Sequence, residues 1–407
     1  MNDPLHYLRP GLLQLQSLPP LSLYVHLPWC IQKCPYCDFN SHALSPNIGS
    51  AGRINSSVET QYIAALLADL DAALPLIWGR TIHSIFIGGG TPSLFEPDQI
   101  AELLSQIRAR LRLSAECEIT LEANPGTFET DRFKAFRQAG VTRLSIGVQS
   151  FNDVHLNQLG RIHTGGQAQR ALQEASECFD TFNLDLMYAL PHQTMAELQT
   201  DLEIALGFNP PHLSIYHLTI EPNTYFAKYP PPTPDEDTAY DMLDVITERT
   251  ARAGLGRYEV SAFAQSGHRS WHNTNYWQFG DYLGIGAGAH SKISFAHRIV
   301  RQVRTREPAA YMTAAMSDGG SQAITSSTDI KHKELAFEFM LNALRLKEGV
   351  SLSSFEERTG LGINAIKNGW QAARDKGLMT TDNPKHLQAT ARGFDFLSDL
   401  QALFLTN

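Results

Sequence analysis

Six short β-rich segments alternate with longer helical patterns between Ser22 and Thr219, and this alternation constrains the fold more than any other feature. Strands alternating with helices of this length indicate βαβ units and a parallel sheet. The fold class is therefore α/β, either an open partial barrel or a shortened TIM-like barrel of six βα units. The predicted strands cover residues 22–27, 84–87, 117–122, 143–149, 182–189 and 212–219.

Changes in composition divide the chain into four predicted parts. These are an N-terminal segment (1–21), the barrel (22–220), a barrel extension (221–325) and a small C-terminal domain (326–407).

Local patterns predict elements within these parts. In the C-terminal domain, an amphipathic helix, a helix-turn-helix pattern and a small hairpin predict a winged-helix-like fold. A Ser-, Gly- and Asn-rich stretch in the barrel predicts a loop, and a proline-rich break precedes the extension. The segments are a loop at 43–57, helices at 58–74 and 97–111, the break at 229–237, a helix at about 236–253, a strand around 257–264, a helix at 333–346, the helix-turn-helix pattern at 351–378 and the hairpin at 379–390.

The charge balance argues against nucleic acid and anionic membranes as partners. The 407 residues carry a net charge of −9, whereas counterion release needs clustered Lys and Arg. The predicted winged helix, from Lys347 to Asn407, has seven basic and seven acidic residues and is neutral, which disfavours DNA binding. The N-terminal sequence lacks the pattern of a signal peptide or a membrane span. These features predict a cytoplasmic protein with at most peripheral membrane contact through a partner.

Polar residues stand at the carboxyl ends of the predicted strands, where buried parallel strands should be apolar. The second strand runs into the glycine-rich turn 88–92, and Glu122, Gln149 and Asp185 end or interrupt the next three. In βα barrels the active site lies at this edge. Each residue alone is compatible with a helix cap or a turn, but together they predict a site for a small polar ligand.

Three of the five cysteines, Cys30, Cys34 and Cys37, lie within eight residues. A structural zinc ion takes four ligands, commonly as two separated pairs, and no second pair is near. We interpret Cys117 and Cys178 as small core residues. A [4Fe–4S] cluster can take three thiolates from one loop, which leaves one iron open to the amine and carboxylate of an amino acid.

The Cys-x3-Cys-x2-Cys spacing, with Tyr36 before the last cysteine, resembles the signature of radical S-adenosylmethionine (SAM) proteins. The resemblance implies that SAM binds the open iron and that one-electron reduction releases a 5′-deoxyadenosyl radical. Segments "YVHLPWCIQKCPYCDFN", "GGGTPS", "LEANPG", "RLSIGVQSF", "LGRIHT" and "DLMYALPHQT" resemble the branch of oxygen-independent coproporphyrinogen III oxidase. That branch implies SAM contacts from Tyr24, Tyr36, Gly89, Gly90, Thr91, Glu122, Gln149, Arg161 and Asp185, with Thr219 as a weaker candidate.

Two departures separate the chain from the oxidases of this branch. The oxidases carry a further cysteine where this chain has Phe39, and they have a longer segment before the cysteines than the 29 residues here. His272, Asn273, Tyr276 and Trp277 instead resemble the HNxxYW motif of the related haem chaperones. That motif implies a haem site with an iron ligand and aromatic packing on the porphyrin. Its iron ligand stays open among His272, Tyr276 and His290.

The sequence therefore predicts a haem chaperone with a [4Fe–4S] cluster and SAM, served by an electron donor and passing haem to apo-haemoproteins. The alternatives are a radical SAM oxidoreductase acting on coproporphyrinogen III or a related porphyrin, and an aromatic core turn in place of the haem motif. No catalytic residue is assigned.

Overall fold

The computed structural model describes residues 13–50, 52–126 and 130–405. The first twelve residues of the predicted N-terminal segment lie outside this range. Leu13 and Leu15, which follow them, are buried with the C-terminal core. Their backbone N–H groups donate to the carbonyl oxygens of His297 and Ala296 at 3.2 and 2.9 Å, so this part of the segment packs as part of the fold.

The barrel region contains the six predicted strands and the helices between them. Its strands are β1 Leu21–Leu27, β2 Trp29–Cys30, β3 His42–Ala43, β4 Gly49–Ser50, β5 Arg53–Ile54, β6 Ile82–Gly89, β7 Leu113–Ala123, β8 Arg143–Gln149, β9 Phe182–Tyr188 and β10 His212–His217. Its helices are α1 Ser56–Ile77, α2 Pro97–Arg110, α3 Thr130–Ala139, α4 Asp153–Gln158, α5 Gly165–Cys178 and α6 Met195–Gly207, with a 3-10 turn at Pro92–Leu94.

The extension adds four helices and further strands, most of them in antiparallel pairs. These elements are α7 Tyr225–Lys228, α8 Glu236–Arg252, β11 Gly256–Arg257, β12 Ala262–Ala264, α9 Trp271–Trp277, β13 Asp281–Ile285, β14 His290–Phe295, β15 Arg298–Arg304, α10 Pro308–Ala315, a 3-10 segment at Asp318–Ala323 and β16 Ile324–Asp329. The strand expected at 257–264 is therefore wrong: a turn splits it. The Arg257 guanidinium donates to the Val260 carbonyl oxygen at 2.6 Å, and the Ser261 N–H donates to Glu259 at 2.9 Å.

One open sheet of twelve strands runs in the order β11-β12-β10-β9-β8-β7-β6-β1-β13-β14-β15-β16. All neighbours from β10 to β13 are parallel, and both ends of the sheet are antiparallel. The sequence prediction of a parallel βα sheet is confirmed, in its open form. Its strands form because near-continuous apolar runs such as β8 can be buried on both faces.

The helices that flank the sheet are stabilised by N-terminal caps and by burial of an apolar face. Thr164 and Thr194 each form a reciprocal capping box, with Gln167 and Glu197, at the starts of α5 and α6. Helix α1 is long and apolar enough to cross a membrane by length and composition alone. Half of that apolar stretch is buried, Tyr62 among it, as in a core helix of a globular domain. Its start at Ser56 lies inside the predicted loop, which also holds the β4–β5 hairpin.

The C-terminal part has its own apolar core around Phe339, Phe355 and Trp370. The predicted hairpin is reduced to a single bridge between Met379 and Ala389, and the strand His386–Leu387 pairs instead with Val350–Ser351, ahead of the helix Leu352–Thr359. The elements are α11 His332–Ala343, β17 Val350–Ser351, α12 Leu352–Thr359, a 3-10 turn at Ile363–Ala365, α13 Lys367–Asp375, β18 His386–Leu387, α14 Ala391–Asp395 and α15 Leu397–Ala402.

Candidate functional site: two adjoining cavities

The carboxyl ends of β6 to β9 open into a cavity of about 420 Å³, here called the cysteine cavity. It brings together all the predicted cluster ligands and, with one exception, the predicted SAM contacts, including the weaker candidate Thr219. The predicted residues that line it are Cys30, Cys34, Tyr36, Cys37, Gly89, Gly90, Thr91, Glu122, Gln149, Arg161, Asp185 and Thr219. The exception is Tyr24, which lines a neighbouring cavity.

The three thiols occupy a loop anchored by short backbone pairings. Strand β2, which ends at Cys30, pairs with β3, and the Cys37 N–H donates to the Cys34 carbonyl oxygen at 3.1 Å. Burial raises the pKa of the Cys30 thiol to about 11, with the nearby Cys37 adding to the shift, so iron binding must displace this proton. Cys117 and Cys178 lie apart, half-buried against the main core, as interpreted from the sequence.

The donor set, three thiols on one short loop, is chemically suited to an iron–sulfur cluster. In the described part of the chain, no group of three or more His, Cys, Asp or Glu side chains is arranged to hold one metal ion. A cubane accepts thiolates on separate irons, so its ligands need not converge on one point. The three cysteines therefore suit a [4Fe–4S] cluster with one iron free of protein ligands.

The glycine turn after β6 is locked to the backbone that leads into the cysteines. The Gly90 and Thr91 N–H groups donate to the carbonyl oxygens of Leu27 and Trp29, each at 2.8 Å. A Cβ at Gly90 would lie 2.5 Å from the Trp29 oxygen, so only glycine fits there. The Gly89 N–H donates to Glu122 Oε2 at 3.0 Å, which joins the turn to the end of β7.

Two half-buried carboxyl groups line the same cavity as this turn. Burial raises the pKa of Glu122 to about 7; the Gly89 N–H opposes the shift, and the Asp185 charge adds to it. Burial also raises the pKa of Asp185, although Asn183 donates to it at 2.7 Å. Such carboxylates gain from hydroxyl or ammonium partners supplied by a ligand.

A series of polar side chains connects Arg161 and Asn124 to the cysteine loop. Arg161 Nη1 lies 3.8 Å from Cys34 Sγ, and its Nη2 donates to Asn124 Oδ1 at 2.5 Å and to the Gly147 carbonyl oxygen at 2.7 Å. Asn124 in turn donates to Thr91 Oγ1 at 2.8 Å. Our sequence reasoning missed Asn124, although it lies in the quoted segment "LEANPG" directly after the strand end.

Gln149 combines backbone strain with an unpaired polar atom. Its φ is +64°, in the left-handed region that non-glycine residues rarely adopt. Its Oε1 is buried without a hydrogen-bond partner among the described residues. A strained backbone and an unpaired side-chain oxygen together indicate that Gln149 is positioned to hydrogen-bond a ligand.

A second cavity of about 460 Å³, here called the aromatic cavity, shares a wall with the first. Asp38, Phe39, Gly89 and Glu122 line both. The aromatic cavity is further lined by Tyr24, His26, Asn40, His272, Tyr276, Tyr282, Gly288, Ala289, His290, Arg301 and Arg306. It is formed where β1 meets β13 to β15, on the side of β1 away from β7.

His272 is fixed in this cavity through both its backbone and its ring. Its N–H donates to Glu118 Oε1 at 3.1 Å, and its Nδ1 lies 3.0 Å from Ser84 Oγ. Burial lowers the pKa of the imidazole to about 3, so the ring is neutral at ordinary pH, as a metal ligand requires. Because Nδ1 is engaged by Ser84, Nε2 is the nitrogen left for a ligand.

Of the other residues of the HNxxYW motif, only Tyr276 lines the aromatic cavity. Tyr276 lines the aromatic cavity and packs on Tyr282, with ring centroids 5.1 Å apart. Trp277 instead packs toward the C-terminal core, with the Arg345 guanidinium 4.2 Å from its ring centroid. Asn273 lines neither cavity; its N–H donates to Ser270 Oγ at the start of α9.

The sequence carried no signal for several lining residues of the aromatic cavity. His26 contacts Tyr24 OH at 2.9 Å through Nδ1 and the Asn40 carbonyl oxygen at 3.0 Å through Nε2. The Asn40 side chain donates to the carbonyl oxygens of Ala287 and Arg306 at 2.9 and 2.8 Å. The two contacts of the Asn40 side chain join residues that are more than half of the chain apart, and no local pattern reveals them.

Comparisons with known proteins agree with this architecture. A model of the radical SAM superfamily matches residues 24–205, and a model of the HemN C-terminal domain matches residues 330–396. The open α/β barrel with its three-cysteine loop is thus a radical SAM domain. "Heme chaperone HemW" of Haemophilus influenzae is 45% identical over 398 residues, which cover 96% of this chain and 100% of that protein. The chain belongs to the HemW family of heme chaperones.

Further relatives place the chain within the wider group. "Heme chaperone HemW" of Escherichia coli is 45% identical, over 96% of this chain and 99% of that protein. The solved coproporphyrinogen III oxidase (HemN) of E. coli superposes with a TM-score of 0.79 at 24% identity, over 95% of this chain and 90% of the other, which shows a common fold. Family membership favours the chaperone interpretation over the oxidase alternative, and the radical SAM superfamily implies a [4Fe–4S] cluster and SAM.

Proposed function

We propose that this protein is a haem chaperone that binds haem in the aromatic cavity, beside a [4Fe–4S] cluster and SAM in the cysteine cavity. The observation that carries the proposal is the wall shared by the two cavities, where Phe39 and Glu122 each face both. A volume of about 460 Å³ lies in the range of sites for large cofactors.

The cysteine cavity supplies the groups that cluster and SAM need. Cys30, Cys34 and Cys37 are the thiolate ligands in this proposal, and when bound the cluster supplies one-electron chemistry. The glycine turn offers backbone groups to an amino acid, whereas Glu122 and Asp185 accept hydrogen bonds from hydroxyl or ammonium groups. Arg161 supplies a guanidinium suited to a carboxylate.

In the aromatic cavity, we propose His272 as the iron ligand and Tyr276 as a packing surface for the porphyrin. His272 is neutral and its Nδ1 is anchored, whereas His290 is exposed at the start of β14. Tyr24 stacks on Phe86, with ring centroids 6.2 Å apart, and faces the same space. The roles of Asn273 and Trp277 at the porphyrin stay predictions.

The partners in this proposal are haem, apo-haemoprotein acceptors and an electron donor, with no nucleic acid. The free cysteines and the charge balance suit the cytoplasm, where thiols stay reduced. We assign the chain a carrier role rather than that of an oxidase, because the relatives that match its full length are haem chaperones.

A haem titration with a transfer step tests the proposal. Wild-type protein should shift the Soret band at one haem per chain and then lose it to apomyoglobin. His272→Ala should abolish the shift. His83→Ala is the matched control, because His83 stacks on Trp271 outside both cavities and its loss should leave haem binding intact.

Two results would contradict the proposal. One is a haem titration without a Soret shift in folded, cluster-loaded protein. The other is conversion of coproporphyrinogen III to protoporphyrinogen IX by the same preparation, which would assign the protein to the oxidases.

A further inference from the structure

Two arginines give the aromatic cavity a cationic side. Arg301 lies on β15, and Arg306 follows the end of that strand. The acidic residues of the cavity, Asp38 and Glu122, lie instead on the wall shared with the cysteine cavity. The lining charges are therefore separated, with cations toward the β15 side and carboxylates toward the cysteines.

Arg301 is positioned for a further carboxylate. Its Nε and Nη2 both donate to Glu338 Oε2, at 3.2 and 2.6 Å, which ties β15 to α11. Its Nη1 donates no hydrogen bond within the described residues. In the strand register, Lys292 of β14 lies opposite Arg301 of β15 on one side and opposite Tyr282 of β13 on the other. Because residues directly opposite each other on neighbouring strands point to the same face, Arg301 and Tyr282 face the same side of the sheet.

Arg306 is an exposed cation at the rim. Its backbone carbonyl oxygen accepts from Asn40 at 2.8 Å, which fixes the main chain at the cavity mouth. Its guanidinium forms no ion pair in the described parts of the chain. Burial lowers the pKa of His290, the first residue of β14, and the positive charges of Arg301 and Arg306 add to this shift.

We propose that Arg301 and Arg306 form a carboxylate subsite that selects tetrapyrroles bearing two propionate groups. This inference rests on the proposed function and adds what the cavity recognises. The aromatic walls suit the apolar macrocycle, but its carboxylates need charged partners on burial. Repulsion from Asp38, on the wall shared with the cysteine cavity, orients the propionates toward β15.

A structural role for Arg301 alone does not account for this arrangement. The ion pair with Glu338 uses one face of the guanidinium and stabilises the contact with α11. It gives no reason for a second arginine on the rim of the same cavity, one that forms no ion pair with any residue the structure describes. Because Arg301→Gln also weakens the α11 contact, the decisive comparison changes the ligand rather than the protein.

The experiment titrates anaerobically prepared, cluster-loaded protein with haem and, separately, with haem dimethyl ester, both delivered from the same detergent. Wild type should bind haem at least about tenfold more tightly than the ester, the preference expected from one charge-assisted hydrogen bond. The double variant Arg301→Gln, Arg306→Gln should bind the two ligands with equal affinity. Arg298→Gln removes a charge from the same strand outside the cavity and should keep the preference.

The outcomes are distinguishable. Equal binding of haem and its ester by wild type overturns the carboxylate subsite, while the proposed haem site stands. A preference that survives in the double variant also overturns it. Absence of binding by either ligand overturns both the subsite and the proposed function.

Discussion

Ser84 Oγ lies 3.0 Å from His272 Nδ1 and donates to Ser22 Oγ at the same distance, so a buried hydroxyl of β6 orients the histidine of the haem motif. Both serines are buried, and Asn275 donates to Ser22 at 2.9 Å. These hydrogen bonds hold α9, the helix that carries the HNxxYW motif, against β1 and β6. Groups that hold the second nitrogen of a metal-binding histidine fix its tautomer and ring orientation.

Ser84→Ala should therefore weaken haem binding by about tenfold or more without unfolding the protein. The bound haem should also show a mixture of ligation states by electron paramagnetic resonance, because the imidazole loses its orientation. Thr120→Val is the control, since it removes from the neighbouring strand β7 a buried hydroxyl that has no hydrogen-bond partner in the described part of the chain. Unchanged haem affinity and a single ligation state in Ser84→Ala would contradict this role.

Gln149→Leu should lower the affinity for SAM without lowering the stability of the ligand-free protein. The ligand-free variant should unfold at the same temperature as wild type or higher, because an unsatisfied buried carbonyl costs about 1–3 kcal/mol. SAM affinity should fall by about tenfold, the value of one lost hydrogen bond of ordinary strength. Calorimetric unfolding and equilibrium dialysis measure the two effects. A less stable variant with unchanged SAM affinity would assign Gln149 to the core.

Gly90→Ala should destabilise the fold by about 1–3 kcal/mol and reduce the yield of cluster on reconstitution. The added methyl group would meet backbone oxygens of Pro28 and Trp29 at 2.8 and 2.5 Å, next to Cys30. Gly207→Ala, at the end of α6, is the control, because a Cβ there has nothing within 4 Å. That variant should be neutral or more stable by up to about 1 kcal/mol. Equal denaturation midpoints for the two would contradict the packing argument.

Glu122 predicts a pH dependence of stability in the ligand-free protein. Its pKa is about 7 in the fold against an ordinary value of 4.5. Below pH 4.5 both states are protonated and the shift has no effect. Between these values the unfolded chain releases its proton first, so the free energy of unfolding falls as pH rises, by roughly 3 kcal/mol in total.

The measurement is the denaturant midpoint of wild type and Glu122→Gln between pH 5 and 8. Relative to the variant, wild type should lose stability across this range. Burial also raises the pKa of Glu59 to about 7, but that effect is common to both proteins and cancels in the difference. Parallel pH profiles would show that the Glu122 carboxyl is not perturbed.

The parts of the fold that depend on patterns in consecutive residues could be predicted from the sequence. Strand β8 and the cysteine loop were recognisable because apolar runs and metal-ligand spacing are properties of consecutive residues. The aromatic cavity was not, because it needs the pairing of β1 with β13, some 260 residues later, and the packing of His272 on Phe86 of β6. The HNxxYW resemblance predicted that Trp277 packs on the porphyrin; its ring packs against the C-terminal core in the structure, and its role at the porphyrin stays a prediction.

The most direct test of the central claim is whether the haem site and the cluster are neighbours. The electron paramagnetic resonance spectrum of the reduced cluster should be recorded with and without bound ferric haem, on anaerobically prepared protein. The shared wall at Phe39 and Glu122 predicts that haem broadens the cluster signal and speeds its relaxation. A cluster signal unchanged by stoichiometric haem would place the two groups far apart and contradict the account.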